Sequence, residues 1–336
     1  MNLKEIAALA GVSTATVSNV VNGNYHKVSA ATREKIEKII KEADYKPSLI
    51  ARTLATSESR IIGLIVPYIS HDTDFMENPY FAHMIAVIER YMRNHGYYLM
   101  LRCVQECSDI VKILTSMSID GAIFLGVFHE EVDNIREKMG NVPVVFVDTY
   151  FENASIVNVG IDDYRGGYLQ AKYLLSKGHR KIALATPEFR TTGVIRERFR
   201  GFTDACKESD FHLEEEDIFL SSTIYKHAVG IGQDIAFSKK NYTAVASFSD
   251  MVAFAIMDAL KQCGKSVPED VSVIGFDNIP ETEVVTPKLT TVSQDYNWKG
   301  EKAAQLLLDM IEGNEIKPHN EKASVHITER QSVKSI

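Results

Sequence analysis

The stretch from Asn2 to Asn22 constrains this chain more than any other. Two short amphipathic helices fit it, separated by Gly11. Asn2 is a candidate N-cap, with Glu5 at the capping-box position three residues on. Ile6, Leu9 and Ala10 fall on one face at helical spacing. Gly11 supplies the positive φ that a tight turn needs, and Ser13 can cap the second helix. Val17, Val20 and Val21 return to the shared core, which leaves Thr14, Ala15, Thr16, Ser18, Asn19 and Asn22 facing outward. These outward residues are short, polar or small, and uncharged, so a backbone could come close to base edges and phosphates in a major groove. An ordinary helical hairpin is the competing reading. The order of residues in this stretch and the pattern beyond Asn22 favour a DNA-reading helix-turn-helix.

Ser29 caps a third expected helix, from residue 30 to about 43, that buries Ile36, Ile39 and Ile40. Lys27, Arg33, Lys35 and Lys38 are candidate phosphate contacts, which position a reader without specifying sequence; a solvated helix face explains each equally well. Pro47 disfavours helical geometry at Lys46. Residues 49–55 then offer only about seven residues of helical pattern, too few for a stable free helix. The segment 56–59 is the expected boundary between a domain of residues 1–58 and one of residues 60–330.

Charge divides at the same place. The chain of 336 residues has a net charge of −8, from 37 Lys/Arg and 45 Asp/Glu. Residues 1–60 hold nine basic and six acidic residues, a net of +3, so the remainder carries 28 basic and 39 acidic, a net of −11. A weakly basic module on an acidic body fits a DNA-facing domain that gains affinity by acting in two copies. A hydrophobic content of 45% is ample for large cores, and no run of about 18 apolar residues suggests a membrane span. No basic segment followed by an apolar one marks a secretory signal. Cys103, Cys107, Cys206 and Cys263 lack zinc-site spacing, and they suit a reduced cytosol.

From residue 60 the pattern alternates strand and helix. Strands are expected at 61–66, 98–103, 122–125, Val144–Val147, 182–185, Ala244–Ser247 and 271–276. Helices are expected at 81–95, 164–177, 195–209 and 251–263. The alternation implies two doubly wound parallel sheets. Ligands of such sheets sit beyond the carboxyl ends of strands, which here carry Pro67, Gly126, Asp148, Ser249, Asp250, Asp277 and Asn278. Catalytic signatures are missing: there is no Gly-x-Ser-x-Gly, Walker A or His-Glu-x-x-His, and Gly230-Ile-Gly232 is only a fragment of a dinucleotide fingerprint. No cofactor or metal is expected, and the chain does not read as an enzyme.

The segments Ile6-Ala-Ala-Leu-Ala-Gly-Val-Ser13, Thr16-Val-Ser18, Val20-Val-Asn22-Gly, Val28-Ser-x-x-Thr-Arg33 and Tyr45-x-Pro47 resemble the headpiece of the LacI/GalR family of bacterial transcription regulators. The resemblance continues to about residue 330. It implies an α/β protein: an all-α helix-turn-helix headpiece followed by a periplasmic-binding-protein-like (type I) core of two subdomains facing each other across a cleft. Three crossings between subdomains are expected near 158–161, 292–295 and 318–322. The resemblance further implies that residues 49–55 form a hinge helix on the operator, with Leu54 as a minor-groove wedge. Leu3, Ala51 and Arg52 join the DNA-contact candidates. In Arg196-Glu-Arg-Phe-Arg200-Gly, the position that contacts effector is Arg198; Asp277 accepts from a sugar hydroxyl or a base nitrogen. Tyr225 corresponds to an aromatic that covers the ligand, and Phe81 is a candidate second wall. Asn19 stands where Arg is frequent, Ser249-Asp250 where Asn-Asp is usual, and residues 71–77 are extra at the expected cleft mouth. The implied function is a cytoplasmic, nucleoid-associated, homodimeric repressor of a pseudo-palindromic operator, controlled by a small molecule, by resemblance a carbohydrate. A corepressor-driven or protein-partner-driven regulator and a solute-binding transport protein are the alternatives.

Overall fold

The computed structural model describes residues 1–21, 23–45, 58–67, 78–104, 111, 114, 116–150, 156–188, 192–221 and 225–336. It divides into two compact units, Met1–Ser59 and Arg60–Ile336. Asn22, the DNA-contact candidates Ala51, Arg52 and Leu54 of the expected hinge, and the extra residues 71–77 lie outside the described residues.

The first unit contains α1 (Leu3–Ala10), α2 (Thr14–Val21) and α3 (Ala30–Glu42). Its helix boundaries follow from the caps. Asn2 accepts from Lys4 and Glu5 backbone N–H groups while Glu5 reaches back to the Asn2 backbone, a complete capping box. Gly11 ends α1 at φ 68°. Ser13 accepts from the Thr16 N–H and Ser29 from the Thr32 N–H. The core is Ile6, Ala7, Ala10, Val17, Val20 and Ile36, with Val21, Ile39 and Ile40 partly buried against it. Leu9 departs from expectation: it is 59% exposed, and Ala7 is buried instead. The buried stripe of α1 keeps Ile6 and Ala10 and widens toward Ala7 rather than Leu9, and a small residue there permits close packing.

The second unit holds two six-stranded sheets. The first is built from β1 (Ile61–Pro67), β2 (Tyr98–Val104), β3 (Gly121–Leu125), β4 (Val144–Val147), β5 (Val157–Ile161) and β11 (His319–Ala323). The second uses β6 (Ile182–Thr186), β7 (Ile218–Leu220), β8 (Ala244–Ser247), β9 (Ser272–Asp277), β10 (Thr290–Ser293) and β12 (His326–Thr328). Their spatial orders are β11-β5-β4-β3-β1-β2 and β12-β10-β9-β8-β6-β7, parallel except for β12. Leaving aside the last-added strand, each half therefore has the 2-1-3-4-5 doubly wound order, with its switch point between the first and third strands. The described helices of this unit are α4 (Pro79–Asn94), α5 (His129–Met139), α6 (Asp163–Ser176), α7 (Val194–Lys207), α8 (Tyr225–Phe237), α9 (Asp250–Gln262) and α10 (Tyr296–Ile311). The chain passes from one sheet to the other after β5, after β10 and after β11. Each passage falls at or just beyond the stretch expected from sequence, and β5, β10 and β11 occupy most of those stretches.

Helices α6 and α7 cross at two glycines. A Cβ on Gly167 would sit 1.9 Å from the Arg198 carbonyl oxygen, and one on Gly201 would sit 1.9 Å from that of Tyr164. Backbone stands on both sides, so neither clash relaxes by a rotamer change. Gly201→Ala should destabilise the unit by about 1–3 kcal/mol or more through overpacking, measured by urea unfolding. A change below ~0.5 kcal/mol would mean that the helices part freely. The crossing also fixes the functional geometry, because it sets Arg198 against Asp163 at the start of α6.

Candidate functional site

Both sheets end in loops that face one cavity of about 620 Å³. From the first sheet come Phe81 at the start of α4, Leu125 and Gly126 after β3, and Asp148 after β4. From the second come Arg198 on α7, Phe248 and Ser249 after β8, and Asp277 at the end of β9. Gln294, in the second passage between sheets, also lines it. These are the carboxyl ends of the strands, where an open parallel sheet leaves backbone and loops free to bind. Asp148 (φ 55°) and Asp277 (φ 128°) both adopt positive φ, a strained conformation for a residue with a side chain.

A polar chain links the cavity-lining residues of one half to those of the other. The Tyr80 hydroxyl donates to Asp148 Oδ2 at 2.8 Å, and Lys299 Nζ donates to both Asp148 oxygens at 2.9 Å. Lys299 also donates to Gln294 Oε1 at 2.7 Å, and Gln294 Nε2 donates to Asp277 Oδ1 at 2.7 Å. Arg198 Nη1 lies 3.9 Å from that same oxygen. Its Nε donates to Asp163 Oδ1 at 2.8 Å and Nη1 to the Phe248 carbonyl at 2.8 Å, while the guanidinium stacks 3.5 Å over the Phe276 ring. Tyr150 donates to the other oxygen of Asp163.

Burial dominates the electrostatics. It pushes the carboxyls of Asp163 and Asp277 upward, and Arg198 opposes the rise in both. Burial, then the charge of Asp277, pushes Asp250 up. For Arg198 burial acts downward, but Asp163 and Asp277 outweigh it and leave the guanidinium above its ordinary range. Burial beside acids raises Tyr80 and Tyr150, so both stay neutral donors. The Ser249 hydroxyl is buried with no hydrogen-bond partner among the described residues. A buried polar group on a cavity wall without a partner is a place for a ligand atom.

Five of the six effector candidates therefore meet at one cavity: Phe81, Asp148, Arg198, Ser249 and Asp277. Tyr225 does not. It begins α8 and is 38% exposed, and its hydroxyl donates to Asp258 on α9 at 2.9 Å. Arg198 has two uses, since it lines the cavity and forms a buried ion pair with Asp163. Asp250 is no wall residue; its oxygens accept from Thr291 and the Ile279 N–H, which fixes the loop after β9. Sequence reasoning missed Asp163, Gln294 and Lys299. Gln294 lay within an expected crossing and could have been singled out, whereas Lys299 on an amphipathic helix carries no distinguishing signal.

On the first unit, Thr14 and Ala15 are exposed on α2, with Thr16, Ser18 and Asn19 half-buried. The Thr16 hydroxyl is bonded to Ser13 at 2.9 Å within the cap. Leu3 packs partly against the three-helix core. Arg33 lies 3.7 Å from the Tyr25 ring centroid and pairs with Glu37 at 2.7 Å, a helix-face use of that cation.

A small three-helix reader joined to a two-sheet, cleft-bearing ligand binder defines a ligand-responsive DNA-binding regulator. Residues 2–48 match the family model for bacterial regulatory proteins of the lacI family, and residues 171–333 match a periplasmic binding protein-like domain. The HTH-type transcriptional repressor PurR of Vibrio vulnificus is 34% identical over 318 residues, which span 93% of this chain and 92% of that protein. The Lac repressor dimer bound to operator and the anti-inducer ONPF superposes with a TM-score of 0.87 at 25% identity, covering 100% of this chain and 99% of that one. The transcriptional regulator CelR in complex with cellobiose gives 0.74 at 26% identity, covering 99% of each chain. The chain belongs to the LacI family of bacterial transcription regulators. It is a DNA-binding repressor controlled by a small-molecule effector, and it is not an enzyme.

Proposed function

We propose that residues 1–58 form an operator-reading headpiece with a hinge, and that residues 60–330 bind the effector and dimerise. The headpiece reads DNA through Leu3, Thr14, Ala15, Thr16, Ser18, Asn19 and Asn22, and the hinge adds Ala51, Arg52 and Leu54. Two copies dock on a pseudo-palindromic operator, as a two-fold dimer requires, so the protein works in the cytoplasm and joins the nucleoid when bound. The effector is a carbohydrate or a derivative of one, held between Asp148 and the group Arg198, Ser249 and Asp277. The observation that carries this reading is the convergence of acceptor carboxylates from both halves, with the unpartnered Ser249 hydroxyl and an aromatic wall, on one cavity. Hydroxyl-rich ligands offer donors on opposite edges and apolar C–H faces, which that wall suits. The cellobiose complex of CelR supports it. A nucleobase is the second reading, favoured by the rings of Phe81, Phe128 and Phe248, which line the same cavity as the Asp277 acceptor.

Thermal-shift measurements on the full chain with mono- and disaccharides, and with free nucleobases, decide between them. A ligand at a hundred times its Kd should add about 2.7 kcal/mol of stability. Stabilisation by nucleobases alone would replace the carbohydrate reading, and no shift from either class would remove both.

Asn19 makes a separate test on DNA. An Asn amide pairs bidentately with adenine, whereas Arg pairs with guanine. Asn19→Arg should move the selected half-site toward guanine at one position in a binding-site selection. An unchanged profile would place Asn19 away from the base edges.

A further inference from the structure

Lys299 is a charged residue only 1% exposed, placed on the first turns of α10. Its depth follows from its neighbour: a Cβ on Gly300 would stand 2.8 Å from Val87 on α4, so α10 lies flush against the helix that carries Tyr80. An ammonium has three donors. Lys299 spends them on Asp148 Oδ1, Asp148 Oδ2 and Gln294 Oε1, at 2.9, 2.9 and 2.7 Å, with its nitrogen 5.2 Å from the Tyr80 ring centroid. It therefore meets no ligand itself and is absent from the cavity wall. Its effect passes through its two partners, both of which line that wall.

Asp148 receives the only cation paired with it among the described residues, on the first sheet's side. Gln294 has an acceptor end and a donor end, and Lys299 fixes the acceptor end. The Nε2 group must then point at Asp277, on the second sheet's side. We propose that Lys299 is the positioning residue for both acceptor groups of the effector cavity, compensating the Asp148 carboxylate on one wall and orienting Gln294 toward Asp277 on the other. The inference rests on the cavity being the effector site. With both walls held as acceptors, the effector must bring donors to both edges, and a phosphorylated or carboxylated ligand is rejected.

The test uses protons as the probe and contains no effector, so it stands apart from the thermal-shift test of the site itself. The groups around the cluster are Asp163, Asp277 and Arg198 from the second sheet's side, with Tyr80 and Tyr150 as neutral donors from the first. Lys299→Met keeps the stem and removes the charge. A buried carboxylate stripped of its cation is favoured in its protonated form, so the folded variant should hold a proton that the unfolded chain releases above about pH 4. Its stability then falls as pH rises, by up to roughly tenfold in the folding constant per pH unit relative to wild type. Urea unfolding of the full chain from pH 5.5 to 8.5 reads this directly. Adding Asp148→Asn to Lys299→Met should remove the added pH dependence, and Lys299→Arg should restore most of the neutral-pH stability. Parallel pH profiles for Lys299→Met and wild type would overturn the proposal. If Lys299→Met does not fold, the double variant decides: recovery of folding supports the role, and failure contradicts it.

Discussion

Replacing Arg198 with alanine should cost about 3–5 kcal/mol of stability as well as the effector response, because it leaves Asp163 buried and fully enclosed without its cation. Arg198 is 6% exposed and holds three things at once: the Asp163 carboxylate, the Phe248 carbonyl and the face of Phe276. Removing it strands a buried carboxylate and a buried carbonyl together. Set against a typical domain stability of roughly 5–15 kcal/mol, that is a large fraction. Arg198→Met with Asp163→Leu should recover most of the loss, since exchanging a buried ion pair for apolar groups of similar volume is often near neutral. Urea unfolding of the single and double variants measures both terms. A loss below about 1 kcal/mol for Arg198→Ala would show that the pair is screened by solvent. Either way, lost induction in this variant is ambiguous, and Asp277 is the cleaner probe of the site.

Asp277→Asn should weaken effector binding by about tenfold or more while leaving the fold intact, a factor of ten being ~1.4 kcal/mol. The side chain keeps its shape, but one acceptor oxygen becomes a donor, and a ligand donor there loses its partner. Stability should hold or rise. Burial already disfavours the Asp277 charge, and its repulsion raises Asp250. The sign comes from linkage: a folded carboxyl pushed above its unfolded value contributes stability at low pH that is lost as pH rises, so a neutral amide removes that loss. In a repressor released by its effector the variant would be uninducible; with a corepressor it would be constitutive. Calorimetric titration beside a reporter assay separates these outcomes. Wild-type effector affinity in Asp277→Asn would take Asp277 off the ligand.

The three-helix reader was legible because its signals are local. Asn2 with Glu5, Gly11, Ser13 and Ser29 fix the ends of helices by groups a few residues apart. Leu9 misled because helical period alone does not say on how many sides a helix is covered. Seven parallel strands, β1 to β4, β6, β8 and β9, were equally plain as apolar runs bounded by polar turns. The strand β11, His-Asn-Glu-Lys-Ala, was not, since its half-exposed edge position asks for no apolar alternation and only pairing with β5 makes it a strand. At the site, residues at strand ends could be named from topology. Lys299 could not, because its burial depends on Asp148, 151 positions away, and on a helix contact that Gly300 permits. Tyr225 was misplaced for a related reason: a family position says where a residue stands in the chain, while Asp258 decides where its hydroxyl goes.

Occupation of the cavity should change operator affinity, and reciprocity tests this central claim most directly. Operator affinity would be measured by fluorescence anisotropy with and without a saturating concentration of the stabilising ligand. The affinity of that ligand would be measured by calorimetry with and without operator. Coupling between two sites must be the same in both directions, with typical factors of roughly 5–150. Equal factors are expected from the two titrations, and Asp277→Asn should need about tenfold or more ligand to reach the same occupancy. Operator affinity that stays the same whether or not the cavity is filled would contradict the claim.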